Sequence, residues 1–275
     1  MKLENNIPEV GYGTWKIKND ATPEVVITAI KCGYRHIDAA KAYGNEKEVG
    51  EGIKASGINR SELLITNKLW NDSRDFDKAI GACKESLFNM NLEYFDEYLI
   101  HWPASMAVHE NWEEINIDAW KGLEELHKLG LVKKIGVCNF KKHHLESLMS
   151  NCTIKPMINQ IEMHPGYYQK ETIEYCNENN IKVEAWSPIG SGKLDKKQVL
   201  SDMALKYNVS IAQLCIRWCL EHGATPLPRS SNFDRMKENL DVYGFSIGEE
   251  DMNIIDKLER TSFSGLDPDT ITIFG

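Results

Sequence analysis

Polar side chains of complementary chemistry recur along this sequence, each at the end of a short run rich in Ile, Val and Leu. Asp38 ends one such run and Tyr43 follows it; Lys68, His101 and Asn139 end the next three. Gln160, Trp186-Ser187 and Arg229-Ser230 continue the series. Asp38, Tyr43, Lys68 and His101 are titratable groups of widely different proton affinity, a set suited to moving a proton if the fold brings them together. Each alone has an ordinary reading: a turn carboxylate, a packed aromatic with a wet hydroxyl, a solvated cation and a core histidine.

The elements that must position these groups follow from the pattern. Apolar runs at Tyr12–Lys16, His36–Ala40, Leu63–Lys68, Glu97–Trp102, Lys134–Asn139, Met157–Glu162, Lys182–Ser187 and Thr225–Arg229 read as strands buried on both faces. Helical segments alternate with them. Thr22-Pro23-Glu24 reads as an N-cap with Pro at the first helical position, and Gly33 as the stop. Asn45 with Glu48 reads as a capping box. Phe76, Ala79, Ile80, Cys83, Leu87 and Met90 share one helical face after Asp75; Trp112, Ile115, Ala119, Leu123 and Leu126 share another before Gly130, and Ser210 caps a helix after the seventh strand. Eight strand–helix alternations in 275 residues predict one α/β domain over residues 1–275, a single (β/α)8 TIM barrel with extra C-terminal helices, its site at the C-terminal strand ends.

Composition removes several classes of function. The net charge is −9 with no dense Lys/Arg run, which disfavours nucleic acid. Met1–Asn6 lacks an apolar leader core and no run is long enough for a membrane span, so a cytoplasmic protein is expected. Seven scattered cysteines without a CxxC pair read as free thiols in a reducing compartment, with no structural zinc and no metal expected. His36, His109, His127, His143, His144 and His222 read as surface or helix positions without a catalytic role.

Seven segments in order resemble the aldo-keto reductase family. They are Gly33-Tyr34-Arg35-His36-Ile37-Asp38-Ala39-Ala40 with Tyr43-Gly44-Asn45-Glu46, then Ile65-Thr66-Asn67-Lys68-Leu69-Trp70 and Leu99-Ile100-His101-Trp102-Pro103. Gly136-Val137-Cys138-Asn139-Phe140, Asn159-Gln160-Ile161-Glu162, Ala185-Trp186-Ser187-Pro188 and Pro228-Arg229-Ser230 through Asn239 follow. The likeness runs from Val10 to about Leu258, and the chain is similar to short bacterial-type reductases of the diketogulonate, methylglyoxal and prostaglandin F synthase kind. It implies an NADP-dependent oxidoreductase that reduces aldehydes and reactive ketones by hydride transfer. Tyr43 would be the general acid, Lys68 would depress its pKa, Asp38 would keep Lys68 charged, and His101 would hold the substrate oxygen.

No GxGxxG follows a strand, so a Rossmann site is not supported. The resemblance instead implies NADPH/NADP+ laid across the barrel mouth. Gly13, Thr14, Trp15, Asp38 and Cys138 would border it, Asn139 and Gln160 would hold its carboxamide, and Trp186 would stack on the nicotinamide. Ser187, Pro188, Ile189 and Ser191 would lie along the pyrophosphate. Arg229, Ser230, Asn232 and Arg235 would grip the 2′-phosphate, favouring NADPH over NADH. Glu238 and Asn239 would flank the adenine. Trp15, Tyr43, Trp70, His101 and Trp102 would line the substrate mouth. Cys138 stands where the family usually has Ser, Trp186 where Tyr is more frequent and Arg229 where Lys is commoner. A short tail and a short loop after His101 point to an open, permissive pocket. Small-molecule carbonyl substrates and a monomer are expected, with no nucleic-acid or membrane partner. Two rivals remain: a non-catalytic NADPH-binding regulatory member of the same barrel, and a metal-dependent barrel hydrolase, which strand one does not favour because it offers no His-x-His pair.

Overall fold

A computed structural model describes residues 9–272. Eight parallel strands follow one another in chain order: β1 (Tyr12–Gly13), β2 (His36–Asp38), β3 (Leu64–Leu69), β4 (Phe95–Ile100), β5 (Val132–Cys138), β6 (Ile158–Glu162), β7 (Lys182–Trp186) and β8 (Thr225–Leu227). The Gly11 and Gly13 amides donate to the Pro226 and Pro228 carbonyls and bring β8 back to β1. The expected (β/α)8 barrel is the observed one. The outer helices are α1 (Thr22–Cys32), α2 (Glu46–Ala55), α3 (Phe76–Met90), α4 (Trp112–Lys128), α5 (Lys142–Met149), α6 (Lys170–Glu178), α7 (Gln198–Tyr207) and α8 (Ile211–Glu221). Two more, α9 (Phe233–Leu240) and α10 (Glu249–Asp256), follow β8. No helix among the described residues is long and apolar enough to cross a membrane.

The helix signals are read correctly where the capping side chain has no rival partner. Asp75 accepts from the Lys78 amide at the start of α3, and Ser210 and Gln213 form a reciprocal capping box on α8. Gly33 ends α1 at φ 116°, a left-handed position that favours glycine. Two expectations need correction. Thr22 lies inside α1 after the N-cap residue Ala21, because its hydroxyl donates back to the Lys18 carbonyl at 2.9 Å. Asn45 is the N-cap residue of α2 but makes no side-chain cap bond; its amide is drawn to the Thr14 carbonyl at 3.1 Å, tying α2 to the loop after β1.

The usual filling of such a barrel is apolar and branched. Here a buried polar column runs through the strands: His36, Asp38, Thr66, Lys68, Glu97, Gln160 and Glu184. Register places them side by side, with Asp38 opposite Thr66, Thr66 opposite Glu97, and Gln160 opposite Glu184. Gly11, just before β1, makes room for the His36 ring: a Cβ there would lie 2.8 Å from His36 Nδ1.

Candidate active site

The four titratable residues singled out in the sequence meet at the C-terminal ends of β2, β3 and β4. Lys68 Nζ donates to Asp38 Oδ1 at 2.5 Å, to the Ala39 carbonyl at 2.9 Å and to the Tyr43 hydroxyl at 3.3 Å. The Tyr43 and His101 rings meet edge to face at 5.8 Å, and Trp70 packs on the other side of His101 at 5.1 Å. Tyr43 is half-buried, whereas Lys68 is fully buried.

Burial sets the electrostatics. It pulls the Lys68 ammonium down, but the Asp38 carboxylate and the Tyr43 hydroxyl more than offset it, so the amine is held charged. Burial pushes the Tyr43 phenol up; Lys68 opposes this without reversing it, and Asp38 adds to it. Lys68 acts in the expected direction, lowering the phenol's pKa, but burial outweighs it and the net shift is upward. Tyr43 is therefore protonated in this state. Burial, and then Lys68, hold His101 well below the usual imidazole range, so it is neutral. Its Nδ1 is buried without a hydrogen-bond partner among the described residues.

The surrounding groups divide between the mouth and the interior. Asn139 has left-handed φ 65°; it donates to the His101 carbonyl at 3.0 Å and accepts the Trp186 indole N–H at 2.8 Å. Gln160 lies deeper, with Nε2 donating to Asp38 Oδ1 at 2.9 Å and Glu184 Oε2 at 3.0 Å. Cys138 is buried beside them, its Sγ 3.9 Å from Gln160 Oε1, and burial raises its thiol pKa. Thr14 donates to the Asp38 carbonyl at 2.9 Å. Trp15 is 46 % exposed and Trp70 half-buried, whereas Trp102 is only 4 % exposed.

The residues that would meet a dinucleotide fit an anionic, flat ligand. Trp186 keeps ring surface exposed at the end of β7. Beyond it, Ser187, Gly190, Ser191 and Gly192 all have positive φ, and the turn brings the Ser187 and Ser191 hydroxyls to 3.0 Å, with Pro188 and Ile189 between. Gly190, Ser191 and Gly192 are left-handed in succession, and the Gly190, Gly192 and Lys193 amides donate within the turn to the Ser187, Ile189 and Gly190 carbonyls. Past β8, Arg229 and Arg235 are exposed and form no ion pair among the described residues. Asn232 caps α9 through the Arg235 amide and holds Ser230 by its own amide at 3.1 Å. Glu238 is half-buried and Asn239 buried on α9.

Three features were not anticipated. First, His36 is buried in the barrel, not on the surface. Its Nε2 donates to Thr66 Oγ1 at 2.8 Å, and Thr66 donates to Glu97 Oε2 at 2.7 Å. Burial lowers His36 to about 4, against the pull of Glu97; burial and then Glu184 raise Glu97 to about 7. Second, the tail folds back over the loops that follow β4, β5 and β6. Ser264 donates twice to Glu162, and Lys141 bridges Asp267 and Asp269 at 2.7 Å each. Leu266 and Pro268 line one pocket with Asn139 and Trp186, so the mouth is walled on that side rather than left open. Third, the buried His144 and neighbouring His143 approach Asp269 Oδ1 at 3.3 and 3.0 Å. His144 Nδ1 accepts the Lys141 amide, which leaves its ring proton on Nε2 facing the carboxylate.

The sequence model described as the aldo/keto reductase family matches residues 9–260. The 9,11-endoperoxide prostaglandin H2 reductase of Trypanosoma cruzi is 42 % identical over 98 % of this chain and 94 % of its own. Glyoxal reductase of Bacillus subtilis is 43 % identical over 98 % and 96 %. An aldo-keto reductase of Bombyx mori, solved in complex with NADP, superposes with a TM-score of 0.86 at 32 % identity, covering 99 % of this chain and 94 % of that one.

Proposed function

Because the chain belongs to the aldo/keto reductase family, we propose that it reduces aldehydes and reactive ketones, glyoxal-like dicarbonyls among them, with NADPH as reductant and Tyr43 as proton donor. The observation that carries this reading is the unbroken contact set Asp38–Lys68–Tyr43 beside His101 at the barrel mouth. It is an oxidoreductase of NADP-dependent type, and bound NADPH supplies the hydride. The chain's own residues supply the rest. His101, neutral and next to Tyr43, offers a ring N–H to the carbonyl oxygen and holds it within reach of the phenol. Tyr43 gives its proton to that oxygen as negative charge develops. The ammonium of Lys68, 3.3 Å away, stabilises the phenolate left behind. Asp38 keeps the ammonium charged in a site that water does not reach.

Asn139, Trp186 and the Ser187–Ser191 turn would hold the nicotinamide half, and Arg229, Ser230 and Arg235 the 2′-phosphate. For Asn139 to meet a carboxamide, its bond to the Trp186 indole must be exchanged for one to the ligand. All seven cysteines are free, which suits a reducing cytosol, and we take the working unit to be the single barrel as a monomer. The test is Tyr43→Phe assayed with a panel of carbonyls. NADPH binding should stay within about twofold while kcat falls about 10²–10⁴-fold, the range of general acid catalysis. Equal turnover in that variant removes Tyr43 from the role.

A further inference from the structure

We infer that Glu184 is a positioning residue for the proton-transfer set: it clamps the Gln160 amide onto Asp38 and, through Asp38, sets where Lys68 stands beside Tyr43. The inference rests on the reading of Tyr43 as the acid. Glu184 is fully buried on β7, directly opposite Gln160 in the β6–β7 register. The Gln160 amide has two N–H groups. One goes to Glu184 Oε2 at 3.0 Å and the other to Asp38 Oδ1 at 2.9 Å. Turning the amide over would set its carbonyl oxygen against two carboxyl oxygens, so the orientation is dictated by chemistry.

The consequence falls on Asp38 Oδ1, which accepts from both Gln160 and Lys68. With only the Lys68 bond, a carboxylate can pivot about its last torsion. With Gln160 pinned from behind by Glu184, the oxygen facing Lys68 is held, and with it the 3.3 Å approach of Nζ to the Tyr43 hydroxyl. The chain is Glu184, Gln160, Asp38, Lys68, Tyr43, and every link is a hydrogen bond. The far oxygen of Glu184, Oε1, has no hydrogen-bond partner among the described residues and lies 3.8 Å from the ammonium of the partly exposed Lys182. A plain apolar residue at 184 would fill the space without introducing a second acid within one amide's reach of Asp38, so packing does not account for the carboxyl group.

The test compares Glu184→Met with Glu184→Gln. Met keeps the volume and removes the acceptor; Gln keeps an acceptor and removes the charge. At saturating NADPH and carbonyl, E184M should lower kcat about tenfold, with the NADPH dissociation constant within about threefold of the parent. E184Q should restore kcat to within about threefold. In the ligand-free protein, the Gln160 side-chain NH2 protons should exchange slowly with solvent in the parent and in E184Q, and rapidly in E184M, as read by NMR. Equal losses of kcat in both variants would assign Glu184 to charge balance with Lys182, and no loss in E184M would assign it to packing; either result overturns the inference. Slow exchange surviving in E184M overturns it as well. If Tyr43→Phe retains full turnover, the reading of the acid fails, and the exchange measurement still decides whether the clamp exists.

Discussion

Replacing Lys68 by Met separates what the buried ion pair does for stability from what it does for catalysis. Met conserves most of the stem and deletes the ammonium that serves Asp38, the Ala39 carbonyl and Tyr43. Asp38, itself buried, is left with the Gln160 amide as its carboxylate's hydrogen-bond donor among the described residues. Breaking a buried pair by removing one partner costs about 3–5 kcal/mol. For a chain of 275 residues, an unfolding entropy of about 2.1 cal/mol/K per residue converts that cost to a fall in Tm of about 5–9 °C. The double variant Asp38→Asn with Lys68→Met removes both charges, and a neutral replacement of a buried pair is close to isoenergetic, so most of the Tm returns. Turnover does not return. An ammonium 3.3 Å from a forming phenolate is worth up to about 5 kcal/mol at an effective dielectric of about 20, and the loss of repulsion from Asp38 gives part of that back. A fall in kcat/KM of about 10²–10⁴ is expected in both variants. The assays are a thermal melt without ligand and NADPH oxidation with methylglyoxal. The reasoning is refuted if K68M melts within about 2 °C of the parent, or if the double variant regains kcat/KM to within tenfold of it.

Two further outcomes test other parts of the molecule. Arg229→Met with Arg235→Met removes two exposed guanidinium groups that form no ion pair among the described residues. At about 1.5–3 kcal/mol per charge-assisted bond, kcat/KM for NADPH should fall at least about 100-fold while NADH is little affected; an unchanged NADPH/NADH ratio places the 2′-phosphate elsewhere. Glu97, raised to about 7 by burial and by Glu184, keeps in the folded state a proton that the unfolded chain releases above about pH 4.5. Its contribution to stability is therefore present below that pH and lost as pH rises to 7, by about 3 kcal/mol. Glu97→Gln should melt about 5 °C above the parent at pH 8 and close to it at pH 5, and the same difference at both pH values contradicts the assignment.

The strand ends were legible because a barrel brings the residue that closes each strand to one rim. Asp38, Lys68, His101 and Asn139 could thus be grouped before any distance was known. The residues one step deeper were overlooked for a reason of period. His36 precedes Asp38 by two positions and Glu184 precedes Trp186 by two, so each shares its strand's inward face. Reading only the closing residue misses them, and a buried charge two places below a site residue is the signal that finds them. The sign of the Tyr43 shift was out of reach for a different reason. Sequence supplies the neighbours of a titratable group, but the largest influence on Tyr43 is burial, which depends on what every other element covers. Asn45 and the tail fail in the same way: Thr14 competes for the first across 31 positions, and Lys141 holds the second from 126 and 128 positions away.

The polar column is best understood as a consequence of putting a charged amine where water does not reach. Lys68 in an apolar barrel would shed its proton and lose the charge that stabilises a phenolate. Asp38 prevents that, yet a buried carboxylate is itself costly unless its other lone pairs are satisfied. Gln160 meets that need, and its second N–H then requires an acceptor, which Glu184 provides; Glu184 in turn requires Lys182, which carries the compensation out towards solvent. Each polar residue answers the demand created by the one above it, down to Glu184 Oε1, which has no hydrogen-bond partner among the described residues. Activity should therefore decline in steps along the chain, most steeply at Lys68 and least at Lys182. A variant at Lys182 more damaging to kcat than one at Glu184 would show that the dependence runs by some other route.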